Sequence, residues 1–354
     1  MTDMPEFRRI LVRTPNWVGD AVMALPFLAS LRLNAPQSEI HVLTRANLQE
    51  FFSVVPTVDG VLSLAQTHGF PAVWRGAKML RPMQFDLGFC LPPSFGSALM
   101  MRLSGIPKRV GHASDRRRWL LTDSLPYLPN GKRPHRAESY LSLLELIWKS
   151  PQLDRKLAYN PGPTEVASVK LIWQQHGIPL NASVLAVAAG AAQPNKLWPA
   201  ERFAEICGRW LAGNERVVVL VGGSNDREAC AAVAYRTDSP RLYNLCAAGS
   251  LPLVAAIMRR AEVFVGNDSG LSHLAAASGV PLVVISGPGD PTEVAPFVQN
   301  AITVKKPLFC SPCYRNTCYR TDHPLECQDL VTVDEVWDAV MRISGGAQRR
   351  PLTS

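Results

Sequence analysis

Short runs of β-branched and aliphatic residues alternate with stretches of helical period along almost all of this 354-residue chain. No other feature constrains its fold as much. In the first half the apolar runs are ILVRT (10–14), EIHVLT (39–44), GVLSL (60–64) and FDLGFCL (85–91). Between them lie AVMALPFLASLRL (21–33), NLQEFFSVV (47–55) and SALMMRLSGI (97–106), and HRAESYLSLLELIW (135–148) closes the half as a helix. Continuous apolar strands separated by helices predict a parallel sheet covered on both faces.

The segment SPQLDRKLAYNPGPT (150–164) carries three prolines, a glycine and no apolar period, and it reads as a linker. The alternation then restarts with strands VLAVAAGA (184–191), RVVVLVGG (216–223), LYNLC (242–246), EVFVGND (262–268) and PLVVISG (281–287), and helices at 199–213, 226–236, 251–261 and 270–279. A final helix near 333–343 follows a capping box, Thr332 to Glu335. This predicts a first α/β domain over 1–149, a linker over 150–164, a second over 165–331 and a closing helix and tail over 332–354. Two doubly wound domains leave a cleft, and in such sheets ligands bind beyond the carboxyl ends of strands where the connections diverge.

The composition is that of a globular protein, 47% hydrophobic and 19% charged. No stretch approaches the roughly 18 uncharged apolar residues of a membrane span. The opening MTDMPEFRRILVRT lacks the apolar core of a secretion signal, so a cytoplasmic protein is expected, with peripheral membrane contact still open. The net charge of +8 is uneven: residues 1–150 carry 18 Lys/Arg against 11 Asp/Glu, and residues 75–136 carry 12 against 3. Such a run is either a solvated face or a surface for a polyanion such as phosphorylated lipid, an anionic bilayer or nucleic acid.

Several polar motifs fall at strand ends. PNWVGD (15–20) follows the first strand and places Asp20 at a helix mouth, either as an N-cap or as a group that does chemistry. VGNDSGLSH (265–273) joins a strand to a helix, with Gly266, Ser269 and Gly270 allowing close backbone approach; the helix start suits a phosphate or is simply a capped turn. NKLWP (195–199) puts Lys196 before a helix, where it either reaches a diphosphate or is one more surface lysine. VGGSND (221–226) offers Asn225 or Asp226 to a ribose, or Asp226 as a cap. No G-x-G-x-x-G loop follows the first strand and no Walker loop, HExxH or G-x-S-x-G motif is present, which argues against an ordinary NAD dehydrogenase, a P-loop NTPase, a zincin or an α/β hydrolase. Cys310, Cys313, Cys318 and Cys327 lie within 18 residues, in a Cys-rich loop spanning 310–327. Four thiols at this spacing suit a structural zinc, or stay as reduced thiols or reversible disulfides; either way the loop reads as a staple outside catalysis.

Taken in order, PNWVGDAVMALP, KRVGHASDRRRWLLTD, NKLWPAERFAEI and GNDSGLSHLAAASGVPLVVISGP resemble the bacterial lipopolysaccharide heptosyltransferases, glycosyltransferase family 9, and the Pro-x-Trp-Val-Gly-Asp form is most like their type II branch. The resemblance runs from about residue 8 to 343. It implies a GT-B architecture, two Rossmann-like domains facing across a cleft, the first for the acceptor and the second for a nucleotide sugar. It also implies inverting transfer of a heptose from ADP-heptose to the lipid A inner core, with no metal required for catalysis. On this reading Asp20 is the base, Trp17 and Gly19 shape its loop, and Lys196 with the N–H groups of Ser269 and Gly270 stabilises the departing diphosphate. Asn267, Asp268 and His273 join Asn225 or Asp226 in holding the donor. Arg75, Lys78, Arg81, Arg116 and Arg117 are the residues expected to bind the anionic acceptor and the inner-membrane surface. Competing readings are a related transferase with another nucleotide sugar or a protein acceptor, and a basic zinc-stabilised nucleic-acid-binding protein; the resemblance itself implies no nucleic-acid partner.

Overall fold

The computed structural model describes residues 6–65 and 69–345, and the chain divides into two compact units between Leu157 and Ala158. The first unit holds a six-stranded sheet made of β1 (Arg9–Arg13), β2 (Glu39–Arg45), β3 (Gly60–Leu64), β4 (Leu87–Cys90), β5 (Lys108–Ala113) and β6 (Asp123–Pro126). Their order is β3-β2-β1-β4-β5-β6 and every pairing is parallel. Val12 at the centre of β1 stands opposite Val42 and Phe89. The second unit repeats the plan with β7 (Ser183–Ala188), β8 (Arg216–Leu220), β9 (Leu242–Asn244), β10 (Val263–Asn267), β11 (Leu282–Ile285) and β12 (Ala301–Val304), ordered β12-β11-β10-β7-β8-β9. Here Val265 stands opposite Val187 and Val283.

The central strands are buried on both faces, which is why they read as unbroken apolar runs: Ile10, Leu11 and Val12 are wholly buried, as are Val263, Phe264 and Val265. Helices supply the covering layers. The helix Ala200–Leu211 turns Phe203, Ile206, Cys207 and Trp210 inward at intervals of three and four, and Trp198 packs edge-on to Phe203 with ring centroids 4.9 Å apart. In the first unit Phe27 meets Phe89 in the same way at 5.1 Å.

Several elements differ from the sequence expectation. The segment expected as one helix over 21–33 is two, Val18–Met23 and Leu25–Asn34, broken at Ala24 because Pro26 has no N–H to donate to the previous turn. The closing helix of the first half is α-helical only over Arg136–Leu141 and tightens to a 3₁₀ turn over Ser142–Leu146. β5, β6, β12 and the helix Phe70–Leu80 are additional elements.

The linker is not free chain. Its first half is strapped to the first unit: Asn34 Nδ2 donates to the Gln152 carbonyl at 2.7 Å, Asn34 Oδ1 accepts from the Gln152 N–H at 2.9 Å, and the Asp154 N–H donates to Ser30 Oγ at 2.8 Å. Its second half belongs to the second unit, where the Tyr159 N–H donates to the Ala277 carbonyl at 2.7 Å. Asn34 is buried, so Asn34→Ala strands both Gln152 backbone groups. We expect it to destabilise the protein by about 1–3 kcal/mol in urea titrations, whereas an unchanged midpoint would show the strap to be dispensable.

Candidate functional site

Both sheets reverse their winding at a central pair, β1 with β4 in the first unit and β7 with β10 in the second, and each candidate site lies at the carboxyl end of such a pair.

In the first unit Arg13, the last residue of β1, is 2% exposed and anchors the loop that follows. Its guanidinium donates to the Thr14 carbonyl, to the Leu43 carbonyl at 3.3 Å and to Asn16 Oδ1 at 2.6 Å. Burial chiefly, and Arg45 beyond it, pull Arg13 down to about 10 against the opposing pull of Cys90, so it stays charged at neutral pH. The helix then begins with Trp17 as N-cap in extended conformation, and the Ala21 N–H closes the first turn on the Trp17 carbonyl at 2.9 Å. Asp20 is therefore not the N-cap but the third helical residue, where the helix dipole still favours a negative charge. Trp17 is 60% exposed and does not shape the loop by packing; Arg13 and Asn16 do that.

Arg136, from the helix Arg136–Leu141, brings its Nε within 3.6 Å of Asp20 Oδ1. Burial alone would lower the Arg136 guanidinium, but Tyr140, Asp20 and Tyr127 outweigh it and hold it above its ordinary value. Burial, with Asp20 beside it, pushes the Tyr140 phenol well above its ordinary range. His112, at the end of β5, is 7% exposed with Nε2 3.2 Å from the Ser139 hydroxyl; burial first, then Arg117 and Arg136, push it down to about 4. An imidazole that takes up a proton only near pH 4 is neutral at physiological pH and adds no charge beside Arg136.

The basic residues expected at the acceptor do not act together. Arg117 is wholly buried: Nε donates to the His112 carbonyl at 2.9 Å, and Nη1 reaches the Ser94 carbonyl at 3.0 Å and Cys90 Sγ at 3.2 Å. It braces the loops after β4 and β5 and cannot meet an acceptor. Arg81 also departs from expectation, because it lines a cavity with Arg8, Asp86 and Pro107, which precede β1, β4 and β5. That is the amino end of the sheet, away from Asp20. Arg116 follows β5 and is exposed, and Arg75 and Lys78 lie on the exposed face of the helix Phe70–Leu80.

In the second unit Asp268, just past β10, is 5% exposed. Lys196 Nζ lies 2.8 Å from its Oδ2 and His273 Nε2 lies 4.0 Å from its Oδ1. Ser269 is the N-cap of the helix Gly270–Ala277, so the first-turn N–H groups open beside this pair. Asn267, expected to hold the donor, is instead wholly buried. Its Oδ1 accepts from the Trp198 N–H at 3.0 Å and its Nδ2 donates to the Ala189 carbonyl at 2.8 Å, tying the Lys196 turn and the end of β7 to β10. His273 is also buried and faces Asp268. Asp226 caps its own turn, its Oδ2 accepting from the Gly223 N–H at 2.8 Å. Its Oδ1 packs so closely on Gly190 that a Cβ there would stand 2.0 Å away. Asn225 is exposed.

Sequence reasoning passed over a second layer around Asp268. Lys305, directly after β12, donates to the Gly289 carbonyl; burial lowers its ammonium, against Asp290, Cys327, Asp268 and Cys313. The Tyr314 hydroxyl donates to Asp290 Oδ2 and Glu293 Oε1, each at 3.2 Å, and burial with these carboxylates pushes it up to about 12. The β-branched run AITV ahead of Lys305 and the turn-forming GDPTE around Asp290 were the available signals.

Cys310, Cys313, Cys318 and Cys327 are all unoxidised and line one small cavity. Burial, with the other three beside it, pushes the Cys327 thiol up to about 11. Among the described residues no group of three or more His, Cys, Asp or Glu side chains is arranged to hold a metal ion, and of the alternatives for this loop the four stand as reduced thiols. Other bonds hold the loop: Arg320 pairs with Asp322 and Glu326, and the Ser311 hydroxyl donates to the Gly287 carbonyl at 2.6 Å.

His112 gives a pH prediction. The unfolded imidazole protonates near 6.5 and the folded one only near 4, so the unfolded chain takes the proton first as pH falls. Stability is full above about 6.5 and declines below it, by about 2 kcal/mol from this group between about pH 7.5 and about pH 5. In urea titrations at the two pH values the loss shrinks by that amount in His112→Gln, and an identical loss in both proteins would contradict the assignment.

The description glycosyltransferase family 9 (heptosyltransferase) belongs to the family model that matches residues 73–322. Lipopolysaccharide heptosyltransferase 2 of Escherichia coli K12 is 28% identical over 307 residues, 84% of this chain and 88% of that one. Lipooligosaccharide heptosyltransferase 2 of Haemophilus ducreyi is 28% identical over 313 residues, with the same shares covered. Among solved structures, E. coli ADP-heptose LPS heptosyltransferase II superposes with TM-score 0.77 at 24% identity over 95% of this chain and 98% of that one. A family 9 glycosyltransferase from Veillonella parvula gives 0.83 at 22% identity over 97% and 99%. These neighbours share the GT-B fold of two Rossmann-like units, and the chain belongs to glycosyltransferase family 9, the heptosyltransferases.

Proposed function

We propose that this chain is an inverting heptosyltransferase that moves a heptose from ADP-heptose to a hydroxyl of the heptosylated inner core on lipid A. The observation that carries the reading is the pairing of Asp20 with the permanently charged Arg136 at the winding reversal of the first sheet. In this mechanism the Asp20 carboxylate accepts the proton of the acceptor hydroxyl as its oxygen attacks the anomeric carbon, and Arg136 fixes the carboxylate in place. The bond to the diphosphate breaks on the opposite face, which inverts the configuration.

The departing ADP gains negative charge, and the second unit offers what that charge needs. Lys196 has three N–H donors, so it can keep Asp268 and still meet a phosphate oxygen. The N–H groups of Ser269 and Gly270 add the open end of a helix. Asp268 is then the acceptor for donor hydroxyls, held in place by Lys196 and by buried His273. Asp226 is the better ribose partner of the VGGSND turn, because its Oδ1 faces Gly190 at the end of β7. Arg75, Lys78 and Arg116 remain as cations for the phosphates and acidic sugars of the acceptor and for an anionic inner-membrane surface, each worth about 1 kcal/mol at such a surface. On this reading the enzyme works on the cytoplasmic side of that membrane.

The test is turnover of ADP-heptose with a heptosylated Kdo-lipid A acceptor, read as ADP release and as the anomeric configuration of the product by NMR. The expected product is inverted, and Lys196→Ala weakens ADP binding by about 10–100-fold. A retained configuration would overturn the mechanism, and turnover only with another nucleotide sugar would overturn the donor.

A further inference from the structure

The amino end of the first sheet carries a feature that the transfer reaction does not use. Arg8, Arg9, Arg81, Gln84 and Asp86 line an open cavity of about 610 Å³ there. Two of its charges are already engaged. Arg9 Nε pairs with Glu39 at 2.8 Å and its Nη1 donates to the Met83 carbonyl at 3.1 Å. Asp86 Oδ2 accepts the backbone N–H groups of Arg8 and Arg9, both at 2.8 Å. The guanidinium groups of Arg8 and Arg81 are exposed and have no side-chain partner among the described residues.

We propose that this cavity binds a phosphate group, with the Arg8 and Arg81 guanidinium groups as its donors. Two unpaired cations on the wall of one concavity make it a place for an anion, and the planar guanidinium fork matches phosphate oxygens in pairs. Nearby carbonyls do not compete for these arginines. Arg9 covers the Met83 carbonyl, and Arg109 covers those of Pro107 and Leu120 at 2.9 and 2.8 Å. Gln84, held in the left-handed region at φ 51°, adds a neutral amide donor at the rim. The phosphate is either the headgroup of an acidic phospholipid or part of a soluble phosphate ester. The site is separate from the donor site and does not rest on the transferase reading.

The experiment uses the full-length chain carrying Lys196→Ala, so that the donor site is weakened, and titrates it with pyrophosphate in a calorimeter. A second arm measures flotation with phosphatidylcholine vesicles, with and without phosphatidylglycerol. Adding Arg8→Ala and Arg81→Ala is expected to weaken pyrophosphate binding at least about tenfold, while Lys170→Ala with Arg236→Ala, the same charge removed from the second unit, leaves it unchanged. If flotation with phosphatidylglycerol falls in the same variant and pyrophosphate competes with it, the phosphate is a lipid headgroup; if only the calorimetric signal falls, it is soluble. Dependence of neither probe on Arg8 and Arg81 would overturn the proposal.

Discussion

A parallel sheet that winds outward in both directions from one central pair leaves that pair's carboxyl ends without a crossing connection, and the chemistry of this protein depends on that constraint. β1 with β4 and β7 with β10 are the two such pairs. Asp20 follows β1, while Lys196 follows β7 and Asp268 follows β10. The strands are buried on both faces and cannot shift register without exposing apolar surface, so the residues just beyond them begin from fixed points.

Buried polar side chains then convert fixed strand ends into fixed loops. Arg13 gathers the Thr14 and Leu43 carbonyls and the Asn16 amide, which sets the path into the Asp20 helix. Asn267 does the equivalent in the second unit, and Arg117 braces the loops after β4 and β5. Asn267 and Arg117 are interior groups met mainly by backbone, the condition under which burial is tolerated. Arg13 instead meets two carbonyls and the Asn16 oxygen and keeps a buried Nε with no hydrogen-bond partner among the described residues. The groups we propose to act in the transfer stand one layer farther out and are held by charge: Asp20 by Arg136, and Asp268 by Lys196.

The sequence reading recovered the parts of this design governed by period and punctuation. Nine of the strands announce themselves as apolar runs, and Asp20, Lys196 and Asp268 are polar residues at their ends. β5 and β6 are concealed because KRVGHA opens on two cations and DSLP has only four residues, one of them proline. Burial was the harder property to read: nothing local tells Arg117 from the exposed Arg116 and Arg118 on either side of it, or the wholly buried Asn267 from a side chain that faces a ligand. Arg136 was visible only as a charge near a helix start, since its partner lies more than a hundred residues away. The four cysteines have metal-like spacing, yet their side chains do not form a ligand set among the described residues, because spacing fixes what a loop can reach and not how it packs.

The central claim is that the carboxylate in PNWVGD is the base of the transfer. The most direct measurement is kcat for ADP-heptose turnover by the wild type and by Asp20→Ala, alongside calorimetric ADP affinity for both. The account predicts a fall in kcat of about 10²–10⁴-fold with ADP affinity unchanged. A variant that turns over at the wild-type rate would show that Asp20 only begins a helix.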